Sequence, residues 1–157
     1  MNFATREDIE APIDEVFAAL SDFEGFERAA LRRGAAVTRT DVPPVAGVGM
    51  GWRVVFDYRG KRRTLTGRLA AMEVPSMMRF TGDATAVSGV LMLELVALSR
   101  RATRVSVSLD IEPKTLVARI FVQSLRLTKG RVNDRFAKRV KAFAMGIEDR
   151  LRSATLN

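Results

Sequence analysis

Apolar positions along the chain recur with two different periods, and the switches between them mark out its elements. Thr103, Val105, Val107, Leu109 and Ile111 alternate with Arg104, Ser106, Ser108 and Asp110. That period of two predicts a strand with one dry and one wet face. Met50, Trp52, Val54, Phe56 and Tyr58 share a face in the same way, with Gly51, Arg53, Val55 and Asp57 behind them, so one strand face gathers three of the eleven aromatic residues. Phe3 to Glu10 reads as a first strand. It ends at Ala11-Pro12, because proline cannot join an interior ladder but suits the first turn of a helix. Ile13, Val16, Phe17 and Leu20 then recur at three and four residues, with Asp14 and Glu15 at the positive end of the dipole, which predicts a short amphipathic helix. Ser21-Asp22 is placed to cap a second helix, in which Phe23, Phe26, Ala30 and Leu31 share a side before Gly34 closes it.

From Ala35 the pattern becomes β-rich and is cut by turn signals at Asp41-Val42-Pro43-Pro44, Arg59-Gly60-Lys61, Val74-Pro75-Ser76, Gly82-Asp83 and Ser99-Arg100-Arg101. Connections this short exclude parallel crossovers, so the strands should be antiparallel. Beyond Pro113 a helical pattern runs toward Leu151. In its first half Leu116, Val117, Ile120, Phe121, Leu125 and Leu127 cover most of the circumference, which predicts burial nearly all round. After Gly130 a narrower stripe takes over, made of Val132, Phe136, Val140, Phe143, Ile147 and Leu151. The phase shift and the helix cost of glycine, about 1 kcal/mol relative to alanine, predict a kink or break near Thr128 to Gly130.

Composition narrows the chemistry. The chain has 157 residues and no internal repeat or linker, and is expected to form one domain over residues 1–157. It has neither cysteine nor histidine. Thiolate nucleophiles, Cys/His zinc sites and histidine-containing triads are therefore excluded, and acid–base work would fall to carboxylates, Tyr58, lysine, arginine or water. Gly47, Gly49 and Gly51 alternate without the lysine or helix start of a phosphate loop, so no cofactor and no metal are predicted. The lack of cysteine and of an export signal after Met1 leads to the expectation of a cytoplasmic protein.

The order of strand, two short helices, about six antiparallel strands and a terminal helix covers nearly the whole chain and resembles the START-related (SRPBCC) superfamily. The likeness rests on Ile9-Glu10-Ala11-Pro12-Ile13-Asp14-Glu15-Val16-Phe17-Ala18-Ala19-Leu20-Ser21-Asp22, on the strand beginning at Gly49 to Trp52, and on the closing amphipathic helix. It implies an α+β helix-grip fold: a curved antiparallel sheet of about seven strands wrapped around a long C-terminal helix, with a cavity between them. Members of the superfamily bind lipids, sterols, polyketides or plant hormones. Some are cyclases or dehydratases of aromatic polyketides, but no shared catalytic motif exists to carry over.

Large inward side chains would line any space that a curved sheet leaves above its concave face. Trp52, Phe56 and Tyr58 are the first candidates, followed by Met78 and Phe80 on a second strand, with Phe121 and Leu125 of the terminal helix facing them. The same residues would equally serve as ordinary packing, since both roles need the same face. Seven methionines suit an adaptable pocket or a routine core alike. Leu91, Leu93 and Leu95 alternate with Met92 and Glu94 on a third strand. Two carboxylates, Glu7 and Glu94, stand in apolar strands. An outward ion pair with Arg68, Arg79 or Arg104 is the expectation for both, because a buried carboxylate is costly.

The net charge of +8 is local: residues 1–113 hold 15 Lys+Arg against 15 Asp+Glu, and residues 114–157 hold 11 against 3. The basic C-terminal helix is thus either a solvated face or a contact for an anionic surface. Nucleic acid is disfavoured as a partner, because Phe136 and Phe143 lie on the apolar stripe instead of among the basic residues where bases would stack. The expected partner is a small hydrophobic molecule, carried without chemistry. The alternatives are a cyclase- or dehydratase-like enzyme using Glu7, Glu94 or Tyr58, and a basic-helix module for an anionic partner.

Overall fold

The structure, a computed structural model, describes residues 1–156. Strand β1 (Asn2–Ile9) gives way at Pro12, the N-cap residue, to helix α1 (Ile13–Leu20), which buries Val16, Phe17 and Leu20. Helix α2 (Phe23–Arg32) is capped by Asp22, whose carboxylate accepts the Gly25 N–H at 3.1 Å. The turn after it uses Gly34 at φ +91°, a conformation that costs glycine little.

Six further strands follow: β2 (Ala36–Arg39), β3 (Gly51–Tyr58), β4 (Lys61–Glu73), β5 (Met77–Asp83), β6 (Val87–Ser99) and β7 (Ala102–Pro113). All seven form one antiparallel sheet in the order β1-β7-β6-β5-β4-β3-β2. From β2 to β7, consecutive strands are neighbours, as the short connections demand. The β3–β4 turn places Arg59 (φ 51°) and Gly60 (φ 76°) both in the left-handed region, the backbone of a tight two-residue hairpin. Register shifts at Leu69/Ala71 and Ala97/Ser99 add local bends of the kind that curve a sheet.

After β7 the helical stretch is broken, as the phase shift predicts. Helix α3 (Leu116–Arg126) ends at Leu127, and α4 (Lys129–Leu156) begins just before Gly130. Thr115 caps α3 by accepting the Ala118 N–H at 3.1 Å. Helix α4 lies along β1 on the concave side of the sheet. Asn133 Oδ1 accepts the Ala4 N–H at 3.2 Å, and Glu148 Oε2 accepts the Glu10 N–H at 2.8 Å. The core lies between α1, α4 and the sheet, where Ile9, Val16, Leu69, Met78 and Ile147 are all but inaccessible. Thr103 is also buried, with its hydroxyl donating to the Ala11 carbonyl at 2.8 Å.

The expected all-round burial of the first C-terminal half does not occur. Only Ala118 and Val122 of α3 are buried, while Leu116, Val117, Ile120 and Phe121 are 71%, 79%, 61% and 53% exposed. The break at Leu127–Thr128 detaches α3 from the long helix, so it rests on β7 and α4 along one side only. Among the described residues no helix is long and apolar enough to cross a membrane.

Candidate functional site

A hollow of about 590 Å³ lies between the concave face of the sheet and the helices α2 and α4. Its sheet side draws on all seven strands, chiefly through Trp52 and Val54, Phe80, Leu91 and Leu93, Val105 and Val107, and Ile9. Phe23, Phe26 and Ala30 of α2 and Phe136, Val140, Phe143, Ala144 and Ile147 of α4 close it from above. Gly67 stands directly opposite Trp52 in the ladder and puts no side chain into the space beside it. The volume is in the range that encloses one small organic molecule.

Trp52 is fixed from several directions. Its ring centroid lies 5.5 Å from that of Phe23 and 6.3 Å from that of Phe80, and Phe23 and Phe80 are 6.2 Å apart. The Arg39 guanidinium carbon lies 5.7 Å from the indole centroid, and the indole Nε1–H donates to Glu27 Oε1 at 2.7 Å. The indole therefore has its one donor satisfied, and its apolar surface is left to line the hollow. Phe26 and Phe143, with centroids 5.6 Å apart, join α2 to α4 beside it.

Charged residues on the lining are Glu7, Glu27, Arg68 and Arg139. Glu27 is engaged by Trp52, whereas Glu7 has no ion pair or side-chain hydrogen bond among the described residues. The outward ion pair expected of Glu7 is made by its neighbour: Asp8 accepts from Arg104 at 2.9 Å on the other face of the strand. That hydrogen bond holds the Asp8 carboxyl below its ordinary pKa and raises that of Arg104. Alternation along β1 decides the matter, since Glu7 shares the concave face with buried Phe3 and Ile9. Glu94 is exposed and on the opposite face of its strand from Leu93 and Leu95.

Of the candidates read from sequence, Trp52 and Phe80 line the hollow. Phe56, Tyr58, Met78, Phe121 and Leu125 do not. Phe56 and Tyr58 lie beyond the last β2–β3 pair, Ala36↔Val55, and neither is on the lining of the hollow. Tyr58 is half exposed, with the Arg59 guanidinium carbon 5.4 Å from its ring centroid. Met78 is wholly buried in the packed core. Phe121 faces solvent and Leu125 is half-buried on α3, away from the hollow. The residues that take their place are Phe23 and Phe26 on α2 and Phe136, Val140 and Phe143 on α4. Their helical spacing marks them as inward, but carries no signal separating a stripe that packs from one that faces a void.

A second hollow, of about 620 Å³, is lined by Thr40, Asp41, Pro43, Thr66, Thr81 and Asp83. Its most buried acid is already committed. Asp41 accepts from Arg39 through both carboxylate oxygens and from the N–H groups of Val45 and Gly51. These contacts, the Arg39 bond foremost, hold its carboxyl well below the usual range. Among the described residues no three His, Cys, Asp or Glu side chains come together to hold a metal ion.

With strand order, helix placement and hollow established, solved structures supply the match. An aromatase/cyclase, Zhui, from Streptomyces sp. R1128 superposes with a TM-score of 0.70 at 16% identity, covering 98% of this chain and 97% of that one. This chain has the helix-grip fold. A protein from Thermus thermophilus shares it with a TM-score of 0.64 at 19% identity, covering 98% and 99% of the two chains. So does Ara h 8.0201, with a TM-score of 0.60 at 11% identity over 93% and 98%. No family model and no curated protein sequence matches the chain. At these identities the likeness is one of helix-grip architecture, and chemistry has to be argued from the hollow itself.

Proposed function

We propose that this helix-grip protein binds one small, largely apolar molecule in the hollow between sheet, α2 and α4. The observation that carries this reading is a space of about 590 Å³ that the protein's own side chains leave unfilled and face almost entirely with apolar atoms. An interior normally closes such a void, because the side chains around it forgo dispersion contacts. A guest matching the lining would restore them. Helix-grip relatives that include an aromatase/cyclase support the same class of guest. The chain's only tryptophan is on the lining, so purified protein titrated with fatty acids, sterols and aromatic polyketides should report binding through Trp52 emission. A flat response to all three classes, with nothing extracted from the purified protein, would count against the reading.

A second reading is favoured by Glu7, a carboxylate without a protein partner facing a hollow of this kind. A carboxyl at that place would move protons on a bound polyketide in a cyclase- or dehydratase-like reaction. Exposed Glu94 and Tyr58 take no part in it. Glu7→Gln should then lower turnover of an aromatic polyketide by about 10²–10⁴-fold while leaving binding measurable. Equal turnover by the variant would exclude Glu7 as the acid, and no turnover by the wild type would leave carriage without chemistry as the function.

A further inference from the structure

Helix α3 is hydrophobic nearly all round, yet the fold covers only one side of it. At about 100° per residue, Leu116, Val117, Ile120 and Phe121 occupy the side turned away from buried Ala118 and Val122. All four are more than half exposed, and Leu127 just beyond them is 89% exposed. A surface helix ordinarily presents polar residues there.

Basic residues predominate around this apolar face, with Glu112 and Asp83 the acidic residues near its start. Lys114, Arg119, Arg126 and Lys129 flank it in sequence, and of these only Lys114 has an acidic partner, Asp83 at 2.7 Å. More basic residues reach the same end of the sheet. Strand β5 pairs with β4 only as far as Thr66↔Asp83, so the β3–β4 hairpin overhangs β5 and carries Arg59, Lys61, Arg62 and Arg63 past it. Val87 and Pro113 are paired at that end, and the Lys114 N–H donates to the Ala86 carbonyl at 2.7 Å, which anchors the start of α3 there. On the hairpin only Arg62 meets a carboxylate, Asp57, at a long 3.8 Å.

We propose that α3 and the β3–β4 hairpin form a docking surface for an anionic lipid membrane, with Leu116, Val117, Ile120 and Phe121 entering the interface and the basic residues meeting the headgroups. Charge decides the occupant. A second copy seated on this face would set like charges against each other, whereas anionic lipid supplies the opposite charge together with an apolar phase for the four side chains. This surface lies outside the hollow, and docking does not require the hollow to be filled. It also differs from the contact suggested by charge alone, because the apolar face belongs to α3 and not to the long helix α4.

The test is sedimentation of the full chain with vesicles of phosphatidylcholine, alone or mixed equally with phosphatidylglycerol. Binding should need the anionic lipid and weaken with salt. Each basic residue held near an anionic surface adds about fivefold in affinity, so Lys61→Glu/Arg63→Glu should bind at least twenty-fold more weakly. Ile120→Ser/Phe121→Ser, at exposed positions, should fold normally by circular dichroism and also lose at least tenfold. No binding to phosphatidylglycerol vesicles would overturn the proposal. So would unchanged binding by the serine variant, since the face would then not be inserted. Gel filtration showing a dimer that Ile120→Ser/Phe121→Ser converts to monomer would assign the face to a second copy instead.

Discussion

Filling the hollow from within is the most direct check on what it is for, and Gly67 is the place to do it. Gly67 faces the hollow opposite Trp52, and a Cβ built there meets nothing nearer than the Thr81 carbonyl oxygen at 3.8 Å, an ordinary contact. Gly67→Phe should therefore fold, with its ring directed into the empty space. A phenyl ring needs about 150 Å³, the size of a cavity that takes up benzene. That is about a quarter of the 590 Å³ available. A guest that fills the hollow would have to give up contacts equivalent to six carbons. At about 0.3 kcal/mol per atom the loss is about 1.8 kcal/mol, or about a 20-fold rise in Kd. A guest of naphthalene size would still fit beside the ring and keep its affinity. The assay is quenching of Trp52 emission by a graded series of fused-ring compounds, with thermal unfolding alongside. Two results would refute the reasoning: equal losses for small and large guests, or a variant whose Tm drops sharply because the space is not there to receive the ring.

Met78→Ala should behave in the opposite way. Met78 is wholly buried in packed core and absent from the hollow, so truncation should cost about 2–5 kcal/mol in denaturant unfolding with guest affinity unchanged. Thr103→Val strands the Ala11 carbonyl that the hydroxyl now serves at 2.8 Å and should cost about 1–3 kcal/mol, while Thr103→Ser retains most of the stability. Asp41 has a folded pKa lowered by Arg39 and by backbone N–H groups, so the unfolded chain binds the extra proton. Its contribution is complete above the unfolded value of about 3.9 and is lost as pH falls below it toward the folded pKa. The stability gap between wild type and Asp41→Asn should accordingly narrow on going from pH 6 to pH 3; a gap that stays constant would dissociate Asp41 from acid sensitivity.

Much of the architecture was legible because it depends on local rules. The period of two in Thr103–Ile111, the 3–4 spacing of Ile13–Leu20, the block at Pro12 and the glycine near residue 130 each act within a few residues. They place β7, α1 and the α3–α4 break where the structure has them. Short connections then force antiparallel neighbours. The candidate site was legible only where alternation alone aims a side chain, at Trp52 and Phe80. Phe56 and Tyr58 obey the same alternation, yet neither is on the lining, and no pattern within β3 records how far along the strand the hollow extends.

What the sequence alone determined is which face each residue takes and which chemistry is impossible, because periodicity, proline geometry and the absence of cysteine and histidine are properties of the chain itself. Only the tertiary structure decided which inward faces meet and which miss each other. It put Glu7 on the hollow and left the arginine to Asp8, sent Met78 into packed core, and left one side of α3 uncovered. The physical reason is that a void or a bare face is a relation between distant segments: apolar side chains have the same pattern whether or not another element arrives to cover them.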